Sequence, residues 1–254
     1  MRLASLVKRI LPPGLAAALA GCAGARPGAS FEERDPYRET NESIHGFNVA
    51  LDRNVLRPVS QGYDIVTPDL FQLMLGNAFS HLDTVNDFAN YLLQGEVTAA
   101  GTAFGRFTVN TVLGAGGLLD PATEFGLPKE NTDLGVTLGK HGVPEGAFLM
   151  LPFFGPSTTR DLGGRVGDFA LSPQTYIFQG FDSNALNFIS PGYNAVEIVH
   201  DRNANADLID EILYQSENSY ISLRTVYLQR RDSLILGEDA AETLPDIFED
   251  EPAN

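Results

Sequence analysis

The residues with chemistry to offer are few and scattered along the 254-residue chain. Four histidines, His45, His81, His141 and His200, stand far apart, and none has the H-x-x-x-H spacing that sets two imidazoles on one helix face for zinc. Ser157 lies in Gly155-Pro156-Ser157-Thr158-Thr159, which lacks the second glycine of a nucleophile elbow. Gly114-Ala115-Gly116-Gly117 runs into Leu118 rather than the Gly-Lys-Ser/Thr of a phosphate loop, and it fails the G-x-G-x-x-G spacing. Arg160-Asp161 with Gly163, Gly164 and Asp168 sets acids beside glycines, yet the residue order of a calcium loop is absent. Asp161 and Asp168 keep two readings, a helix cap or ion pair with Arg160 or Arg165, and a ligand contact. No nucleophile stands with a base, so an enzyme is not indicated, and neither a cofactor nor a metal is expected.

The remaining reactive group is Cys22, the only cysteine, which therefore has no intramolecular disulfide partner. Arg2, Lys8 and Arg9 form a positive start, and Ile10 to Leu19 is a short apolar stretch ending in Leu19-Ala20-Gly21-Cys22. That order matches a secretory signal peptide. Its apolar part is too short for the ~20 residues a membrane-spanning helix requires, and Pro12-Pro13 interrupts it. Cys22 is either a small residue buried by chance or an acylated thiol that becomes residue one of the mature chain. The tetrapeptide resembles the bacterial lipobox, and Ala23 after it, rather than aspartate, implies the outer membrane. Acyl chains contribute about 0.8 kcal/mol per buried CH₂, and stable anchoring takes more than one chain or a second membrane contact. Residues 1–21 are thus expected to be a lipoprotein signal peptide, and 22–34 the acylated cysteine and a flexible tether.

Removing residues 1–21 takes away three positive charges and no negative one, moving the net charge from −16 to −19. So acidic a chain is a poor partner for nucleic acid, which demands Lys and Arg against phosphate. It would not adhere to an anionic membrane by charge either. Membrane contact must come from the anchor and from apolar surface, since no run of 18 or more apolar residues follows Cys22.

The elements that would position these residues read as helices. Asp35-Pro36 is a turn, and Ile44, Phe47, Leu51 and Val55 form a stripe on a helix over 41–55 that Arg57-Pro58 ends. Thr67-Pro68-Asp69 predicts a helix start with Thr67 as cap. From there to Gln94 apolar residues crowd nearly all round, as in a helix or bent pair of helices buried in protein or facing lipid, closed by Gly95. Helical spacing resumes over 96–113. Residues 118–183 are Gly/Pro-rich, apolar and without a clear period, which is where a function would sit, because ordinary loops are polar. A helical pattern returns from about Asn184, with Asp182 or Ser183 and Asp207 as possible caps. Asp232 to Asn254 holds eight acids and no base, the composition of a solvated, disordered tail. Strands are too few for a transmembrane β-barrel, and the fold class is mainly α.

Over residues 35–170 the chain resembles the VacJ/MlaA family of outer-membrane lipoproteins. The resemblance is carried by Asp35-Pro36, Phe47-Asn48, Arg57-Pro58-Val59, Asn90-Tyr91-Leu92-Leu93-Gln94-Gly95, Arg106-Phe107, Asn110-Thr111-Val112-Leu113-Gly114, Gly116-Gly117-Leu118-Leu119-Asp120, Leu151-Pro152-Phe153-Phe154-Gly155 and Arg160-Asp161, in family order. It implies a ring-shaped, all-helical, membrane-embedded body with an irregular Gly/Pro-rich central segment, pierced by an amphipathic channel. Residues 35–236 would be the helical lipid-transport domain and 237–254 the acidic tail. The implied function is removal of mislocalised phospholipid from the outer leaflet and its transfer to a soluble periplasmic carrier, in association with a trimeric porin and without a cofactor. Arg160, Asp161, Asp168, Phe153 and Phe154 are then expected at the channel or its mouth, with Arg160 in reach of a phosphate. Phe47 and Asn48 would hold the N-terminal helix, with Phe47 as simple core the alternative, and Asp120 reads as a helix cap before a headgroup contact. The competing hypothesis is a lipidated scaffold that tethers porins or envelope complexes through the acidic tail.

Overall fold

A computed structural model describes residues 34–172 and 183–237. The expected signal peptide, Cys22, the expected tether up to residue 33, the possible Asp182 cap and the expected tail from 238 onward lie outside the described residues. Helix α1 covers Arg38–Leu51. A five-residue π turn, Asp52–Leu56, follows, and α2 covers Arg57–Val66. Pro58 therefore does not end the helix as its sequence position suggests. It sits in the first turn of α2, where a missing N–H costs nothing, and the π turn shifts the hydrogen-bond ladder to deliver it there.

Helix α3, Asp69–Gln94, is one unbroken rod of 26 residues, and α4 is Val97–Val112. Pro68 precedes α3 with no side-chain cap, so Thr67 does not play the expected role. Gly95 does close it, in the left-handed conformation that glycine adopts without a Cβ penalty. Short helices α5 (Pro121–Glu124) and α6 (Leu134–Lys140) lead to an antiparallel hairpin of β1 (Phe148–Leu151) and β2 (Gly155–Thr158). Then come α7 (Thr159–Leu171), α8 (Ser183–Ala204) and α9 (Ala206–Asp210). A second π turn, Glu211–Gln215, leads into α10 (Ser219–Leu236). Asp207 lies inside the first turn of α9 rather than capping it.

The body is mainly α as expected, and the hairpin is its one sheet among the described residues. The segment read as irregular is more regular than its composition suggests. Glycines hide α7 from a periodicity reading because they are spent on close approach. A Cβ on Gly164 would lie 2.4 Å from the backbone nitrogen of Gly135, so α6 and α7 touch backbone to backbone. The Gly114–Gly117 loop is tight for a similar reason, since a Cβ on Gly117 would fall 2.3 Å from the His81 ring.

The distribution of side chains inverts that of a protein built for water. Among the described residues, twenty polar or charged side chains are buried against ten hydrophobic ones, while 27 large hydrophobics stand exposed. Charge is gathered inside and hydrocarbon is turned out, against the usual preference. Helix α3 turns in His81, Thr84, Asp87 and Asn90 at helical spacing and turns out Leu70, Phe71, Leu73, Leu92 and Leu93. Helix α4 buries Ala100, Ala103, Arg106 and Asn110 while exposing Val97, Phe104 and Val112. The conventional core is small, with Phe148, Met150, Tyr220 and Leu228 joining the hairpin to α10. No helix among the described residues is long and apolar enough to cross a membrane.

Candidate functional site

Contacts run in a closed circuit, from α1 through α2, α8, α3, α6, α7 and the hairpin back to α1. Between α3 and α8 lies a cavity of about 600 Å³, within the range of sites that take organic ligands. Helix α3 supplies Leu73, Gly76, Asn77, Phe79, Ser80 and Asp83, α8 supplies Glu197, His200, Asp201 and Ala204, and the loop before α6 supplies Lys129 and Asn131. Gly76 is needed there, because a Cβ would sit 2.7 Å from the Nε2 of His200. His200 is held from behind by the Tyr63 hydroxyl, 3.0 Å from Nδ1. The lining thus joins apolar surface to a charged wall, as an amphiphile requires. Burial pushes the Glu197 carboxyl up to about 7, with Asp83 and Asp201 adding to the rise. Burial also raises Asp201, against the pull of His200 and Lys129.

The loop bearing Lys129 and Asn131 is fixed by its C-terminal neighbour. The Thr132 N–H donates to Asp87 at 2.9 Å, and the Gln94 amide donates to the Thr132 hydroxyl at 2.8 Å. Burial pushes Asp87 up to about 7, the Thr132 bond opposing it and the charges of Asp83, Asp133 and Asp168 adding to it.

A second, mostly apolar pocket of about 230 Å³ lies between α1, the hairpin tip and the start of α10. Here the structure brings together Phe47, Asn48 and Phe153. The Asn48 amide donates to Leu151 O at 2.9 Å and accepts the Phe153 N–H at 2.9 Å, locking α1 to the hairpin turn. Phe47 meets Phe153 edge to face at 5.3 Å. It is half exposed, so it is not core. Phe153 holds a left-handed φ of 69°, a costly conformation for an aromatic residue. That turn leaves Phe153 and Phe154 69% and 72% exposed at the tip.

Arg160 and Asp161 lie elsewhere, 7% and 3% exposed, in a buried cluster that joins α6, α7 and α10. Arg160 donates through Nε to Asp161 at 2.9 Å, Arg231 donates to the same oxygen at 2.9 Å, and the Tyr227 hydroxyl donates to the other at 2.7 Å. Arg231 continues to Asp133, the side-chain cap of α6. Burial alone would raise Asp161, but Arg231, Arg160 and Tyr227 hold its carboxyl below the ordinary range. Asp168 accepts the Leu134 N–H at 3.0 Å and the amides of Asn86 and Asn90 at 3.1 Å each, tying α7 to α6 and α3. Asp161 is thus ion-paired with Arg160 and Arg231, and Asp168 accepts donors from α6 and α3. None of Arg160, Asp161 and Asp168 lines the α3–α8 cavity. Asp120 caps α5 through the Thr123 N–H and pairs with Arg106 at 2.7 Å.

Sequence reasoning missed the cavity's charged residues. Asp83 breaks an apolar run and was open to notice. Lys129, Glu197 and Asp201 come from distant segments and read singly as solvated charges.

Fold and site together define a helical protein with an apolar outer face, a charged interior and a cavity that is polar on one wall. The chain belongs to the MlaA lipoprotein family, whose family model matches residues 33–234. It is 32% identical over 250 residues to the intermembrane phospholipid transport system lipoprotein MlaA of Haemophilus influenzae, covering 94% of this chain and 96% of that one. It is 32% identical over 226 residues to the protein of the same description from Escherichia coli, covering 86% and 85%. A solved structure concerned with the structural basis for maintenance of bacterial outer membrane lipid asymmetry superposes with a TM-score of 0.68 at 33% identity. That match covers 79% of this chain and 98% of the other.

Proposed function

We propose that this protein is an outer-membrane lipoprotein that moves phospholipid between membranes. It takes mislocalised phospholipid from the outer leaflet and passes it toward a soluble periplasmic carrier. The observation that carries this reading is the half-polar cavity between α3 and α8, set in a body whose apolar side chains face outward. Relatives named for intermembrane phospholipid transport support it across most of the chain. The exposed hydrocarbon suits one leaflet of a bilayer, where a body with no crossing helix among its described residues meets acyl chains at its rim and leaves its charges within. Cys22, triacylated, anchors the body on the periplasmic side, and Phe153 and Phe154 enter the lipid at the hairpin tip. A trimeric porin surrounds or flanks the ring. Headgroups cross along the Asp83, Lys129 and Glu197 wall, and Arg160, Asp161 and Asp168 hold the frame that keeps the path open.

Transfer of labelled phospholipid tests the reading, from liposomes bearing the lipidated protein to a soluble lipid-binding acceptor. Label that reaches the acceptor chemically unchanged, and only with the protein present, is the expected result. No transfer by a folded protein to a competent acceptor would leave the scaffold in its place. Cleaved lipid would point to an enzyme.

A further inference from the structure

We propose that the α3–α8 cavity selects a zwitterionic phospholipid whose headgroup ends in a protonated amine, Glu197 and Asp201 receiving the ammonium and Lys129 the phosphate. This rests on the transport reading above and adds to it which lipid the path prefers. Glu197 and Asp201 are four residues apart on α8, so both side chains leave the same helix face toward the cavity. Asp83 reaches the same space from α3. Lys129 and Asp201 both line the cavity, so a positive and a negative group face the same space.

A phosphate ester joined to an ammonium through a two-carbon link has the complementary pair of charges. The Glu197 carboxylate makes no hydrogen bond among the described residues and is raised by burial and by two neighbouring acids. An ammonium placed among them would relieve that repulsion and supply N–H donors. An anionic headgroup without an amine would bring its phosphate to Lys129 but leave Glu197 and Asp201 no positive group to receive. A quaternary ammonium would match the charge but donate no hydrogen bond.

The test uses the full lipidated protein in liposomes holding equal amounts of labelled phosphatidylethanolamine, phosphatidylcholine and phosphatidylglycerol with identical acyl chains. One soluble acceptor serves every reaction, so its own preference cancels between proteins. The parent is expected to transfer the ethanolamine lipid over the glycerol lipid by roughly two- to fivefold, the range partly exposed charge pairs support. Glu197→Gln and Asp201→Asn, singly and together, should stay folded and membrane-bound while that ratio falls toward one. A parent without preference, or a preference that survives the double substitution, overturns the proposal. Failure of the parent to move any of the three lipids would instead overturn the transport reading on which it stands.

Discussion

Asp161 gathers more opposite charge than any single acceptor needs, and that surplus marks it as a holding residue. Two guanidinium groups and a phenol converge on a carboxylate that is almost fully buried. A carboxyl held below its ordinary range contributes stability above its unfolded pKa and loses it as pH falls through the folded value. Asp161→Ala would leave Arg160 and Arg231 without their shared carboxylate, at a cost of about 3–5 kcal/mol. Urea melts at neutral pH read this directly, and a parent-like midpoint would sink the assignment. Asp87 behaves in the opposite sense. Its folded carboxyl is raised to about 7, so its share of stability is fully present below the ordinary value of 3.8 and is lost as pH rises through 7. Asp87→Asn keeps an acceptor for Thr132 and removes the charge. Melting curves at pH 5 and pH 8 should show the variant gaining on the parent with rising pH, by at least ~2 °C, the shift ~1 kcal/mol gives at this size. An equal difference at both pH values would contradict that account.

At the scale of elements, α6 and α7 depend on a crossing that only glycine permits. Gly164→Ala forces a methyl to within 2.4 Å of backbone that has no room to yield. The expected loss is about 1–3 kcal/mol, typical of overpacking, and calorimetry of the purified variant checks it. No loss would mean that the two helices separate without cost. The same crossing explains what the sequence hid. Helices α3 and α4 were legible because apolar residues recur at helical spacing and Pro68 and Gly95 mark the ends of α3. Helix α7 was not, because Gly163, Gly164 and Gly167 stand where a periodic reading expects side chains. Pro58 misled for another reason, since a π turn changes the ladder without leaving a residue signature. The hairpin that Asn48 locks could not be derived from a run of Leu, Pro and Phe.

Across the whole molecule, the inversion of charge and hydrocarbon decides how the protein meets its surroundings. The apolar rim is what would meet acyl chains, since no helix among the described residues is long and apolar enough to cross a membrane. Replacing Phe153 and Phe154 with serine removes two exposed rings, one of which packs on Phe47. The double variant should bind neutral vesicles more weakly in a flotation assay while remaining folded. Unchanged flotation would place the hairpin tip outside the lipid. The cavity was the part least visible beforehand, because its lining comes from three segments separated by 46 residues or more between Asp83 and Lys129 alone. On the proposed function, lipid travels through that space. The most direct measurement is the liposome-to-acceptor transfer rate of Ser80→Trp, which puts a bulky ring into the cavity from α3. The variant is expected to fold and bind membranes while transferring little or no lipid. A variant that transfers as fast as the parent would show that phospholipid takes another route.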